Sequence, residues 1–450
     1  MIGKEKILDL LNSVLKKSQA DQTEAVFIGG ENGLTRFANS AIHQNVSERN
    51  SRVYLRAVLG KRIGVASTNS LNPQDLEKAV RDAVEIAKNQ KENPDFPGLP
   101  GRADFTPVDT YFEKTARFSP TQRAEALKRI FGKADASKLT TAGSLTTGDS
   151  EIAVINSRGV ECYQPLTSAY LNLIVMGNNS SGFADQQSRN VEQIDVDGLA
   201  DVAIKKCVES KDPEGVEPGE YQVVLEPSAV AALVEWMNYI GFGCKAFQEG
   251  TSFMSNRIGQ KIMGEDVTMY DDGTDGSAIA LPFDFEGVPK QKVALVEKGL
   301  AKGVVYDSIS ANKEKKSSTG HALTPDSAAE GGLALNLFIE GGDSSLEKMI
   351  GSVKKGILVT RFHYINGFLD TTNALLTGMT RDGTFWVEDG KVKHGIKNLR
   401  FTESMLKAFS NVQQISKERK VVASWWEDVG CIVAPAMLID KFKFTGKTEF

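Results

Sequence analysis

Between Lys211 and Glu220 the chain reads Lys-Asp-Pro-Glu-Gly-Val-Glu-Pro-Gly-Glu, with two prolines and two glycines among charged residues. Neither a helix interior nor a central strand tolerates that density of breakers, so the stretch divides the chain. A length of 450 residues also exceeds what one hydrophobic core ordinarily organises. The expected domains are therefore 1–215 and 220–450.

The first part alternates helix and strand signals. Ile7, Leu11, Val14 and Leu15 form one apolar stripe and predict an amphipathic helix at the start. Strand-like pieces follow at Glu24 to Ile28, Leu34 to Phe37, Ile42 to Ser47, Arg52 to Leu59 and Arg62 to Ala66. A second helix opens with Asn72 as cap and Pro73 in the first turn; Leu76, Ala79, Val80, Ala83 and Ala87 line its face. A Pro- and Gly-rich connector, Asn93 to Gly101, precedes a third helix near Thr121 to Ala134. Four strand candidates span Leu139 to Met176, with Ser157-Arg158-Gly159 as a turn, and a helix near Val196 to Ser210 closes this part.

The second part opens with a strand, Tyr221 to Leu225, that runs into a helix started by Pro227. Val230, Leu233, Val234 and Met237 recur there at helical spacing. Beyond Thr251 short apolar runs alternate with Gly-rich turns at Asp271-Asp272-Gly273, Glu340-Gly341-Gly342, Arg381-Asp382-Gly383 and Glu388-Asp389-Gly390. The last predicts a hairpin. One further helix is expected near Thr402 to Ser410.

Several function classes are disfavoured. The net charge is −5, and the densest basic patch, Lys313, Lys315 and Lys316, is interrupted by Glu314, so direct nucleic-acid binding is not expected. No apolar run approaches the roughly 20 residues that span a bilayer. Met1 to Ser18 carries Lys4, Glu5, Lys6 and Asp9 where a signal peptide would be apolar. Cys162, Cys207, Cys244 and Cys431 are widely spaced, without a Cys-x-x-Cys pair, so a reduced, cytoplasmic chain is expected. Asp271 to Gly276 fails as a calcium loop, since Gly273 and Pro282 occupy ligand positions. Ser317 to His321 offers hydroxyls and a base but no nucleophile elbow. No phosphate-binding glycine loop occurs. The four histidines, His43, His321, His363 and His394, form no local ligand pair.

The informative segment is Val223 to Gly241, a strand leading into the Pro227 helix. There the chain resembles the TldD/PmbA family, once called modulators of DNA gyrase and later recognised as metallopeptidases. The resemblance extends through Gly64 to Asn69, Val267 to Gly273, Pro282 to Pro289, Gly356 to Thr360 and Thr377 to Gly383, and so covers essentially the whole chain. In the catalytic TldD branch this helix carries His-Glu-x-x-x-His. The histidines hold zinc, and the Glu takes the proton of the metal-bound water. A Cys near the C-terminus is the third ligand.

Laid onto this chain, the ligand positions fall on Glu235, Ile240 and Cys431, and the base position on Trp236. Trp cannot take a proton and Ile cannot ligate, so the resemblance is to the PmbA (TldE) branch, with no catalytic residue, no metal and no cofactor expected. Zinc enters only if a partner completes the site or if Glu235 and Cys431 combine with His321 or His363. The resemblance implies an α+β chain, with an N-terminal α/β domain and a C-terminal β-rich, antiparallel, barrel-like domain. It further implies a homodimer, or a heterodimer with a His-Glu-x-x-x-His subunit, acting on extended unfolded or leader peptides held by strand pairing. The other readings are a homodimeric peptide-binding or scaffold protein, and a peptidase with a rearranged metal site.

Overall fold

The computed structural model describes residues 1–425 and 429–448. The N-terminal sheet contains β1 (Gln22–Ala38), β2 (Ala41–Leu59), β3 (Arg62–Thr68), β4 (Thr140–Asn156), β5 (Glu161–Met176) and β6 (Ser181–Ser188). Its order is β3-β2-β1-β4-β5-β6, antiparallel throughout. Strands read as separate pieces thus fuse: two into β1, two into β2, and four candidates into β4 and β5.

The reason is visible at Gly30. It looks like a breaker in sequence, yet it sits inside β1, where an added Cβ would lie 2.1 Å from the Asp149 carbonyl oxygen of β4. Glycine there permits close strand approach instead of ending the strand. The strand β6, rich in Gln and Ser, gave no apolar signal and was missed.

Helices cover one face of this sheet. Lys4–Leu15 and Pro73–Asn89 pack on Ala25, Phe27, Val53, Leu55 and Ala57. Pro120–Ala136 and Val196–Glu209 pack on Leu145, Leu171, Leu173 and Val175. The caps follow the sequence: the Asn72 side chain accepts from the Gln74 amide, and Ser119 with Gln122 forms a reciprocal capping box.

The C-terminal sheet joins β7 (Gly219–Leu225), β8 (Met269–Asp271), β9 (Val293–Glu297), β10 (Leu300–Ala301), β11 (Asn336–Ile339), β12 (Lys355–Asp370), β13 (Leu375–Glu388), β14 (Lys391–Gly395), β15 (Leu399–Ser404), β16 (Val412–Ala423) and β17 (Cys431–Lys447). Its pairings return on themselves through β17, β15, β13, β12, β7 and β17 again, which is the form the expected barrel-like character takes. Two pairs, β7 with β12 and β11 with β17, are parallel, because long crossovers separate those strands in the chain. The hairpin at Glu388 is present, with Asp389 and Gly390 both at positive φ. The late helix is shorter than expected, Met405–Ser410, since Leu399–Ser404 pairs as β15. An α+β architecture is the result.

The second face of the N-terminal sheet is covered by the other domain. Leu281, Phe283 and Phe285 pack with Val26, Tyr54, Ile152, Val154 and Leu166. Phe283 is fully buried and meets Phe105 at a ring-centroid distance of 5.0 Å. Replacing Phe283 by Ala should remove about 3–5 kcal/mol of stability. Thermal melts should show the loss, and a Leu variant should recover most of it.

Candidate functional site

Strand β7 delivers the chain to the helix Pro227–Met237, whose first turn begins at proline. Glu226 precedes it without capping its own helix; its carboxylate accepts from Lys206 Nζ at 2.6 Å instead. The helix then continues as a π-helical turn, Asn238–Phe242. Gly241 is required in that turn, since a Cβ would stand 2.1 Å from the Phe253 ring. Insertions of this kind re-aim the side chains on either side and recur at functional sites.

The four positions that the resemblance singles out have separate fates. Glu235 is buried, and its Oε1 accepts from Ser424 Oγ at 2.7 Å and from the Trp425 amide at 2.5 Å. Ile240 is a core side chain. Cys431, at the start of β17, is packed with Ala278, Ile279, Phe338 and Val433. Burial pushes its thiol up to about 11, so it is protonated at neutral pH. Trp236 packs edge-on against Tyr239 and Phe368, at 6.2 and 5.5 Å between centroids. Tyr239 and Phe368 meet at 5.8 Å.

The fold brings Glu235 and Cys431 to one crevice of about 10 Å³, shared with Asn238, Leu333 and Leu335, roughly the space of a single water. His321 and His363 do not join them. His321 is 1 % exposed; its Nε2 lies 2.8 Å from Asp271 Oδ1 and its Nδ1 2.9 Å from Thr319 Oγ1. His363 lies on β12, where burial and then Arg361 and Arg381 hold its pKa below the ordinary histidine range. Among the described residues no three His, Cys, Asp or Glu side chains are placed to hold a metal ion. A protonated thiol, a carboxylate already engaged by two donors and an isoleucine do not fit zinc.

Asp271, read from the sequence as part of a turn, is a fully buried strand residue. Its Oδ2 accepts the Asn336 amide at 2.7 Å, and Asn336 Nδ2 reaches toward Cys431 Sγ at 4.0 Å. The hydroxyl and imidazole of Thr319 and His321 do face each other, and Asp271 completes a chain of three. Yet the Thr319 hydroxyl also bonds the Tyr306 backbone, and the imidazole is sealed from solvent. The chain ties β8 and β11 to the loop before His321, next to the start of β17. The aromatic trio was also missed, because Phe368 is remote in sequence from Trp236 and gives no local signal.

Residues 218–446 match the PmbA/TldA metallopeptidase C-terminal domain, and residues 23–87 match PmbA/TldA metallopeptidase domain 1. The chain belongs to the TldD/PmbA metallopeptidase family. It is 23 % identical to the metalloprotease PmbA homolog of Haemophilus influenzae, over 95 % of this chain and 93 % of that protein. It is also 23 % identical to the metalloprotease TldD homolog of Buchnera aphidicola, over 85 % and 82 % of the two chains. The crystal structure of TldE from Thermococcus kodakarensis has the same fold, with a TM-score of 0.88 at 22 % identity, over 98 % of this chain and 100 % of that one. No helix among the described residues is long and apolar enough to cross a membrane.

The buried pair has a pH signature. Burial holds His321 below the ordinary histidine range, against the pull of Asp271. Burial raises Asp271, but Lys290, His321 and the Asn336 amide outweigh it and leave its pKa lowered. Both shifts favour the folded state at higher pH: His321 adds stability above about 6.5 and Asp271 above about 3.9, each lost as pH falls further. Asp271→Ala should cost about 3–5 kcal/mol. It also removes the pull that raises His321 toward its ordinary range, so the difference in melting temperature between pH 7 and pH 5 should widen.

Proposed function

We propose that this chain is a metal-free subunit of a TldD/PmbA peptidase assembly, one that holds extended unfolded or leader peptide without hydrolysing it. The observation that carries the reading is the aromatic trio at the family's base position, set on an exposed apolar surface. Tyr364, Phe368 and Trp425 are 79 %, 60 % and 80 % exposed. Tyr239, which meets Phe368, is 39 % exposed as well, and an exposed apolar patch of this kind marks a contact site. A carboxylate base would take a proton there, whereas indole and phenyl rings can only pack.

Strand β12 supports the same reading. It pairs with β7 only from Gly356 to Val359, so on that side the stretch from Thr360 to Asp370 has no strand partner among the described residues. An extended peptide can pair with such an edge and lay alternate apolar side chains on Phe368 and Trp236. In this reading catalysis belongs to a partner with the full His-Glu-x-x-x-His helix, and this chain helps to enclose the substrate. A homodimer that only binds peptide rests on the same aromatic surface and differs in lacking that partner.

The test is zinc content and peptidase activity of the purified chain, alone and mixed with a catalytic relative. Alone it should carry no stoichiometric zinc and leave an unfolded peptide intact. With the partner, co-purification and cleavage are expected, and Trp236→Ala or Phe368→Ala should weaken peptide binding about tenfold or more. One tightly bound zinc per chain with activity would overturn the reading; peptide binding without any co-purifying partner would favour the homodimer.

A further inference from the structure

The junction between the two sheets buries more acid than base. Glu24 on β1 and Arg56 on β2 project from the N-terminal sheet, and Asp284, Glu286 and Asp307 meet them from the other domain. All five are almost completely buried. Arg56 Nη1 donates to Glu286 Oε1 at 3.0 Å, and Arg56 Nε lies 3.4 Å from Glu24 Oε1. Glu286 Oε2 accepts the Ser308 amide at 3.2 Å. Asp284 accepts the amides of Glu286, Val288 and Ala322, each at 2.9 Å. Asp307 accepts from the Ser310 amide at 2.9 Å. Cys162 of β5 also faces the group, its Sγ 3.7 Å from the Gly287 carbonyl oxygen.

Four carboxyl groups are therefore buried at the junction with one guanidinium, which reaches Glu24 and Glu286. Among the described residues neither oxygen of Glu24 has a hydrogen-bond donor, and Arg56 Nη2 has no acceptor. Full ionisation would leave three uncompensated negative charges in a desolvated interface, which costs several kcal/mol per charge. Protons are the remaining means of neutralising them. We propose that the domain junction is a proton-dependent latch, held tight while Glu24 and Asp284 carry protons and weakened when neutral-range pH removes them.

The acidities agree with this geometry. Burial pushes Glu24 up to about 7 against the pull of Arg56. Burial and then Glu286 push Asp284 up to about 8, against its three amide donors. Burial also raises Asp307. A carboxyl group whose pKa is raised by docking stabilises the docked state most below its ordinary range. That stabilisation declines as pH rises and is gone above about 7 for Glu24 and about 8 for Asp284. This direction is opposite to that of the Asp271–His321 pair.

The test compares the full chain with a Glu24→Gln, Asp284→Asn variant between pH 6.5 and pH 8.5. His321 is neutral in both folded and unfolded states over most of that range. The melting temperature of the natural chain should fall by about 3 °C more than that of the variant. Infrared difference spectra of the natural chain should show a protonated-carboxyl carbonyl band that disappears over the same interval. That band should be weaker in Glu24→Gln alone and absent from the double variant. Parallel melting profiles, or no titrating carboxyl band in the natural chain, would overturn the latch. Should the double variant fail to fold, the band in the natural chain and its weakening in Glu24→Gln decide the question.

Discussion

The N-terminal sheet has two faces and helices enough for one. Its other face is apolar at Val26, Tyr54, Ile152 and Val154, and it must be kept from water if the sheet is to be stable. The chain meets this need with a loop of the second domain, Leu281 to Phe285, so neither domain is complete without the other. The rest of the arrangement follows. Residues 281–285 are held against the sheet, the buried acids beside Phe285 are drawn into the junction, and the Asp284 carboxylate receives the Ala322 amide next to His321. The acid cluster and the Asp271–His321 chain are thus neighbours in one connected region, with opposite responses to pH.

The segment that carries the resemblance is a strand, a proline-started helix and a π turn, whose backbone depends on Pro227, Gly241 and the apolar positions facing β12 and β17. Zinc and its base need particular atoms at positions 235, 236 and 240, and these are carboxylate, indole and sec-butyl. The replacements are mutually consistent. The Glu235 carboxylate takes donors from Ser424 and Trp425, Trp236 packs edge-on against Tyr239 and Phe368, and Ile240 enters the core.

Much of this was legible in the sequence wherever the information is local. Asn72-Pro73 and Ser119-Pro120 mark helix starts because a cap needs only its own next few residues. The Glu388 hairpin is legible for the same reason. Strand length was not legible: Gly29, Gly30 and Gly33 look like interruptions until the fold shows what the missing Cβ makes room for, the Phe27 ring, the β4 backbone and the Arg123 guanidinium respectively. Asp271 and His321 are fifty residues apart, and Trp236 and Phe368 farther still, so neither pairing is expressed in any periodicity. Spacing showed which family positions were altered, but not what the altered residues touch.

Cys431 shows how a retained residue can mislead. Its presence at a ligand position invites the view that part of a metal site persists. Its surroundings give another reason for it to remain: Cys431 pairs with Asn336 in the parallel β11–β17 ladder, packs among Ala278, Ile279, Phe338 and Val433, and stands beside the Asp271 network. A thiol is small and nearly apolar when protonated, and burial keeps it so. The same side chain would bind zinc only as a thiolate, and two neighbouring imidazoles and the metal itself are what ordinarily lower a thiol's pKa that far. Positions 235 and 240 supply no nitrogen here, and the packing alone is sufficient to account for the cysteine.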